Sequence, residues 1–140
     1  MATFVKSQQF IEDLFKGVHN FTSDATSTIT VALSNTGADA DATKATLSQI
    51  TQVNYTNLST RVVTGVTAEH TTGTVHLTAT DLVLTASGAV ATFQYVWLYN
   101  DDPTSPADPL IGYYDHGSAV TLANGETYTI DFATDILTAA

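Results

Sequence analysis

The strongest β-strand signal in this 140-residue chain is the run Ala91-Thr92-Phe93-Gln94-Tyr95-Val96-Trp97-Leu98-Tyr99. Successive side chains of a strand point to opposite faces of a sheet, so the run predicts four aromatic side chains on one face. They are Phe93, Tyr95, Trp97 and Tyr99. A row of this kind is either the inner face of a central strand or an exposed surface for a partner. The sequence leaves both interpretations open.

Shorter alternating runs lie on both sides of this one. The predicted strands are residues 28–33, 61–64, 74–79, 81–85, 110–114, 118–122, 126–132 and 136–140. Asn124-Gly125 lies between two of them and favours a two-residue hairpin turn, whereas residues 100–109 hold all 3 prolines and predict a protruding loop. The chain contains 26 Thr, a residue that fits a pleated surface. We therefore expect a mainly β fold, an antiparallel β-sandwich of about seven to nine strands, Ig-like or jelly-roll-like.

The N-terminal twenty residues differ from the rest, because their apolar side chains follow helical spacing. Phe10, Ile11, Leu14, Phe15 and Val18 form one apolar stripe. Ser7 is the expected N-cap, and Gly17 suits the end of the helix. We divide the chain into a helix or arm over residues 1–20 and a single β-sandwich domain over residues 21–140. The apolar stripe packs either on its own sheet or on a neighbouring subunit.

The charge balance excludes several classes of partner. Fourteen acidic residues face four basic ones, which gives a net charge of −10. The cations are Lys6, Lys16, Lys44 and Arg61. Such a surface repels phosphate backbones and anionic lipid headgroups, so we expect no direct nucleic acid and no membrane partner. We expect neither a secretory signal nor a membrane-spanning helix. The absence of Cys excludes disulfides, thiolate zinc sites and cysteine nucleophiles.

The polar clusters of the sequence do not match a known catalytic or metal-binding pattern. Asp115-His116-Gly117-Ser118 places an acid, an imidazole and a hydroxyl together, but neighbours on an extended segment point to opposite faces. His70 and His76 are close enough in sequence to converge, yet no third zinc ligand is implied. The acidic residues around 100–108 do not follow a calcium-loop spacing. We predict no catalytic residue, no metal site and no cofactor, and we do not expect an enzyme.

The C-terminal half resembles a group of small structural proteins of tailed-bacteriophage virions. The resemblance rests on residues 93–101, on Asp108-Pro109-Leu110-Ile111-Gly112-Tyr113-Tyr114-Asp115-His116-Gly117-Ser118, and on residues 120–132. Residues 30–36 also resemble the opening strand of that group. Some members look like capsid decoration (cement) proteins, which are abundant, acidic, cysteine-free β-domains.

The resemblance implies a decoration protein that binds the outer shell of the phage head and stabilises it. The implied partners are the major capsid protein and copies of the chain itself, with a trimer favoured, and the implied location is the capsid exterior after synthesis in the host cytoplasm. The candidate interface comprises Phe10, Ile11, Leu14, Phe15, Phe93, Tyr95, Trp97 and Tyr99. Two alternatives stay open: another virion component (neck, tail tip or head fibre), or a glycan-binding module in which Trp97, Tyr113 or Tyr114 stacks on a sugar and the loop after Asn100 holds calcium.

Overall fold

The protein is mainly β, as the alternating runs predict. The structure, a computed structural model, describes residues 3–21 and 28–140, which form one α-helix and nine strands. In chain order these are β1 Phe4–Lys6, α1 Phe10–Phe15, β2 Ile29–Ser34, β3 Thr67–Thr71, β4 Thr74–Thr78, β5 Leu82–Thr85, β6 Phe93–Asn100, β7 Leu110–Val120, β8 Thr127–Ile130 and β9 Leu137–Ala139. Two short 3-10 turns, Gly37–Asp39 and Leu47–Gln49, follow β2. The predicted fold class is confirmed.

The strands form antiparallel sheets that enclose the main core. The order β1-β7-β6-β2 makes a four-stranded sheet, β3-β4-β9 a three-stranded one, and β5 pairs with β8. Val31 and Leu98 from the large sheet share one buried cluster with Leu77, Leu84 and Ile130 from the two smaller sheets. The main core therefore lies between two layers, which is the sandwich arrangement.

Both faces of the large sheet are buried, because the chain also covers its second face. A smaller cluster on that face comprises Ala32, Ile50, Trp97, Tyr99, Leu110 and Tyr113. The rings of Trp97 and Tyr113 lie 4.6 Å apart between centroids. Residues 37–50 supply the cover through Ile50 and, partly buried, Ala40 and Leu47. The strand β6 therefore has a neighbouring strand on each side, β7 and β2, and apolar packing on both of its faces.

The prediction that four aromatics of β6 share one face is wrong at Phe93. The pairing of β6 with β7 is irregular between Phe93 and Tyr95. Phe93 belongs to the main core with Val96 and packs edge-on against Tyr128, at 5.2 Å between ring centroids. The strict alternation of β6 therefore does not extend to Phe93, and the sequence pattern does not reveal this.

The N-terminal residues are packed into the sandwich. β1, which the sequence did not predict, pairs with β7 at Val5–Tyr113, and Phe10 is 1% exposed in the main core. Met1 and Ala2, at the start of the predicted 1–20 segment, lie outside the described residues. Ser7 is not the N-cap: its hydroxyl donates to the carbonyl oxygen of Lys44, and Gln9 takes the N-cap position.

The predicted helix end at Gly17 is confirmed. Gly17 has φ +74°, and its N–H donates to the carbonyl of Leu14 while the N–H of Val18 donates to that of Asp13. These two bonds are the Schellman motif, in which a glycine adopts a conformation that side chains disfavour.

Turn signals in the sequence identify one hairpin wrongly and miss another. Asn124-Gly125 does not join two paired strands, because β8 pairs with β5 and only Gly125 of the two has positive φ. The hairpin is β3–β4, where Thr72 and Gly73 have φ of 49° and 89°, the signs that a type I′ turn requires. The predicted strand at 61–64 forms only one isolated bridge in the described chain, Val62 with Thr30.

Candidate functional site

The strand half of the candidate interface is buried inside the protein. All four of its residues, Phe93, Tyr95, Trp97 and Tyr99, are buried in the core. Trp97 also donates its indole N–H to the carbonyl oxygen of Asp39, 3.0 Å away. A side chain already packed against its own fold offers no area to a partner. For these four residues the interface interpretation is wrong and the core interpretation applies.

The helix half of the candidate interface is divided between core and surface. Phe10 is buried, while Ile11 and Leu14 are partly buried and pack against the main core. Phe15, a member of the same stripe and the last residue of α1, is 89% exposed. A single exposed apolar residue needs no explanation, but an exposed aromatic ring that borders an apolar groove is a feature of binding surfaces.

Phe15 borders such a groove. We call it the helix–edge groove and define it by Lys6, Ile11, Leu14, Phe15, Gly73, Val75, Thr138, Ala139 and Ala140. Its volume is about 510 Å³, and its walls come from α1 on one side and from β4 and β9 on the other. β9 pairs with β4 and, within the described chain, with no strand on its other side. The groove therefore lies where one sheet ends against the helix.

The apolar surface of the groove is continuous with the main core. Val75 and Leu77 are two positions apart on β4 and so share a face. Leu77 is 2% exposed in the core, whereas Val75 is 39% exposed in the groove. The apolar layer of the sandwich is thus open at this end, and an apolar group placed there would extend a packed surface that already exists.

The cations of the chain are distributed unevenly around this site. Arg61 lies over the Tyr55 ring at 3.7 Å, and Lys44 donates to the carbonyl oxygen of Gln49. Lys16 is paired with Glu12 on the exposed face of the helix, and this pairing lowers the pKa of Glu12. Lys6 borders the groove and has no acidic partner among the residues described.

A second cavity, of about 400 Å³, lies on the polar side of the helix. Asp13 borders it, together with Gln9, Lys16, Thr46 and Pro106. Oδ2 of Asp13 is buried and has no hydrogen-bond partner among the described residues, and the same holds for Nε2 of His19. Burial lowers the pKa of His19 to about 4, against the opposing effect of Asp13. His19 is thus neutral in the folded protein, held by Asn100, whose amide nitrogen lies 3.1 Å from Nδ1.

The polar clusters identified in the sequence are not brought together. Asp115 accepts hydrogen bonds from Gln94 and from the N–H of Gly117, while His116 contacts the Tyr128 hydroxyl at 3.1 Å. An acid–imidazole–hydroxyl relay is therefore not formed at 115–118. No three His, Asp or Glu side chains of the described ranges converge into a group that would hold a metal ion.

The two histidines considered for zinc lie on opposite faces of their hairpin. His70 is paired across the strands with Val75, whereas His76 is paired with Glu69 and contacts Asp135 at 3.1 Å. Neighbouring rows of a sheet alternate between its faces, so these imidazoles cannot share an ion.

The side chains that the glycan-binding hypothesis requires to stack on a sugar are not accessible. Trp97, Tyr113 and Tyr114 are all buried. In the loop proposed for calcium, partial burial and then the carboxylate of Asp101 raise the pKa of Asp108, and Asp102 accepts from the N–H of Thr28. The carboxylate of Asp102 is thus engaged with the fold itself.

Comparisons with protein-family models, with curated proteins and with solved structures find no match to this chain. Among the described residues, no helix has the length and apolar character needed to cross a bilayer.

Sequence reasoning missed the far wall of the groove. Lys6, Val75 and Ala139 lie far apart in the chain, and only the pairing of β4 with β9 brings Val75 opposite Ala139. The available signal was Val75 itself, an apolar residue in an alternating run. Its exposure depends on what covers that end of the sheet, and the pattern does not encode this.

Proposed function

We propose that this chain is a structural protein of a bacteriophage virion, a capsid decoration (cement) protein that binds the outside of the head and stabilises it. The virion context is supported by the sequence resemblance of residues 93–132. The binding role is supported by one structural observation, the 89% exposed ring of Phe15 beside an apolar groove open to the core. Docking by burial of apolar area is the dominant driving force in protein association.

The acidic surface is compatible with this role. A net charge of −10 favours solubility at high copy number and disfavours binding to the enclosed DNA. The buried aromatics of β6 provide rigidity, and the groove provides the contact. A protein that adds stability to a shell needs both a stiff body and a surface that can be covered.

The first test is the copy number of the chain in purified particles of the phage that encodes it. Quantitative mass spectrometry against the major capsid protein is expected to give hundreds of copies per particle. A dozen copies or fewer would instead indicate a neck, tail-tip or head-fibre subunit. Absence from the particles would refute any virion role.

The second test concerns the groove. Phe15→Ser is expected to weaken binding of the purified chain to particles that lack it by about tenfold or more, because a central apolar anchor is lost. Val83→Ser is the matched control, since Val83 is an exposed apolar side chain (48%) on β5 outside the groove. Equal binding by both variants would show that the groove is not the contact.

A further inference from the structure

We infer that the helix–edge groove binds a protein segment in which an apolar side chain is flanked by a carboxylate, with Lys6 pairing with that carboxylate. The inference rests on the proposed function in that the segment belongs to the shell protein. It specifies the chemistry of the partner, which the proposed function leaves open.

The apolar part of the specificity follows from the shape of the groove. Phe15 and Val75 face the opening from opposite walls, and partly buried Ile11 and Leu14 continue the apolar surface inward. A volume of about 510 Å³ falls in the range of sites that bury a small ligand. A branched aliphatic or aromatic side chain that entered the groove would contact the apolar layer of the core that ends at Leu77. Binding would be favourable because apolar surface of both the groove and the incoming side chain is removed from water.

The carboxylate part follows from Lys6. The other three cations of the chain already have partners. Lys16 pairs with Glu12. Lys44 lies near Asp39 and donates to the carbonyl oxygen of Gln49, and Arg61 lies over the Tyr55 ring and donates to the carbonyl oxygen of Val31. Lys6 is the cation of the described chain that lies in the groove without an acidic partner. Surface charges more than about 8 Å apart are largely screened at physiological salt, so the local ammonium governs the contact more than the net charge does.

The same charges disfavour a second copy of this chain as the occupant. Two copies that met through the same patch would bring Lys6 close to its own counterpart. A different protein that offers an apolar residue beside an acid does not bring two ammonium groups together.

The test uses two blocked peptides, Ala-Leu-Asp-Leu-Ala and its counterpart with Lys in place of Asp. Titrated into the full chain and followed by ¹⁵N NMR at millimolar peptide, the acidic peptide is expected to shift the signals of Lys6, Phe15 and Val75. It is expected to bind about threefold more tightly than the basic one, the size of effect typical of an exposed ion pair. Equal binding, or no shifts at the groove, would overturn the inference.

Two variants separate local from overall charge. Lys6→Gln and Thr129→Glu each make the net charge more negative by one unit, but only Lys6 lies in the groove. The preference for the acidic peptide is expected to vanish in Lys6→Gln and to persist in Thr129→Glu. Loss of the preference in both variants would assign it to overall charge and overturn the inference.

Two further outcomes separate this inference from the proposed function. Peptide selectivity in a chain that is absent from virions would refute the virion role and leave the groove chemistry standing. Concentration-dependent dimers in sedimentation, abolished by Phe15→Ser, would show that a second copy fills the groove and would overturn the inference.

Discussion

The indole N–H of Trp97 donates to the backbone carbonyl oxygen of Asp39 across 3.0 Å, which fastens residues 37–50 over the second face of the large sheet. The Asp39 carboxylate, itself buried, accepts hydrogen bonds from the hydroxyl of Ser34 and from the N–H of Thr51. Its second oxygen lies 3.7 Å from Nζ of Lys44. Because buried charges are costly unless they are paired and hydrogen-bonded, these contacts explain how an acid is accommodated here.

Replacing Asp39 with Ala is expected to lower the free energy of unfolding by about 2–4 kcal/mol, since it leaves Ser34 and Thr51 without their acceptor. Urea denaturation measures this change, and the fluorescence of Trp97, the single Trp of the chain, reports it directly. Asp41→Ala is the control, because Asp41 bonds to Thr43 at an exposed position. Equal losses in the two variants would contradict a special role for Asp39.

The buried His19 makes stability depend on pH. Its pKa of about 4 in the folded protein lies below the ordinary 6.5. The unfolded chain therefore binds the proton more readily between these values, so the stabilisation is complete above about pH 6.5 and is lost as pH falls toward 4. At pH 5 we expect a loss of about 1–2 kcal/mol relative to pH 7.5.

Urea midpoints of the parent chain and of His19→Gln at both pH values test this expectation. The variant should lose less stability on acidification than the parent, and His116→Gln, at an exposed position, should behave as the parent does. An unchanged difference between the two pH values in His19→Gln would assign the acid sensitivity to the carboxylates instead.

At position 112 there is no room for a side chain larger than that of glycine. A Cβ atom at this position would collide with the ring of Phe4 and with the carbonyl oxygen of Val5, both in β1. Gly112→Ala is therefore expected to displace β1 and to lower the free energy of unfolding by about 1–3 kcal/mol, as overpacking does. In Gly37→Ala the added atom would lie 3.7 Å from the Tyr95 hydroxyl, an ordinary contact, so this control should change stability little. Amide exchange of Val5 would reveal the displacement.

Phe10 and Phe15 form a matched pair on one helix. Phe10→Ala is expected to lower the free energy of unfolding by about 3–5 kcal/mol, because it leaves a cavity in the core. Phe15→Ala, at an exposed position, should change it by about 0.5 kcal/mol or less. Deleting residues 1–20 removes both Phe10 and β1 and should abolish cooperative thermal unfolding. A deletion variant that melts as sharply as the full chain would show that this segment is an independent arm.

The sequence was most informative where each residue's environment is set by its own strand. Val31 and Leu98 are paired directly across β2 and β6 and both lie in the main core, as the alternation in each run predicts. The observed bounds of β2 and β6 lie within a residue or two of the predicted ones. The Gly17 helix end was predicted for a similar reason, because its two hydrogen bonds are local.

Tertiary pairing decided the features that sequence did not reveal. Asn124-Gly125 favours a hairpin locally, but the pairing of β8 with β5 takes the chain elsewhere. Trp97 and Tyr99 are buried because residues 37–50 cover them, and those residues have no strong apolar period of their own. Phe15 belongs to the same stripe as Phe10, and only the packed structure shows that Phe10 is covered and Phe15 is exposed.

The cover over the second face of the large sheet has a dynamic consequence. Residues 37–50 hold this face with two single-turn 3-10 segments, three backbone hydrogen bonds to distant parts of the chain and a few side-chain bonds, whereas β6 is paired with a strand on each side. Segments with few backbone bonds open at lower free energy than the body of a protein. Transient opening of residues 37–50 would expose Trp97 to acrylamide while the sandwich stays folded. Quenching of Trp97 fluorescence by acrylamide would therefore detect this opening well below the temperature of global unfolding.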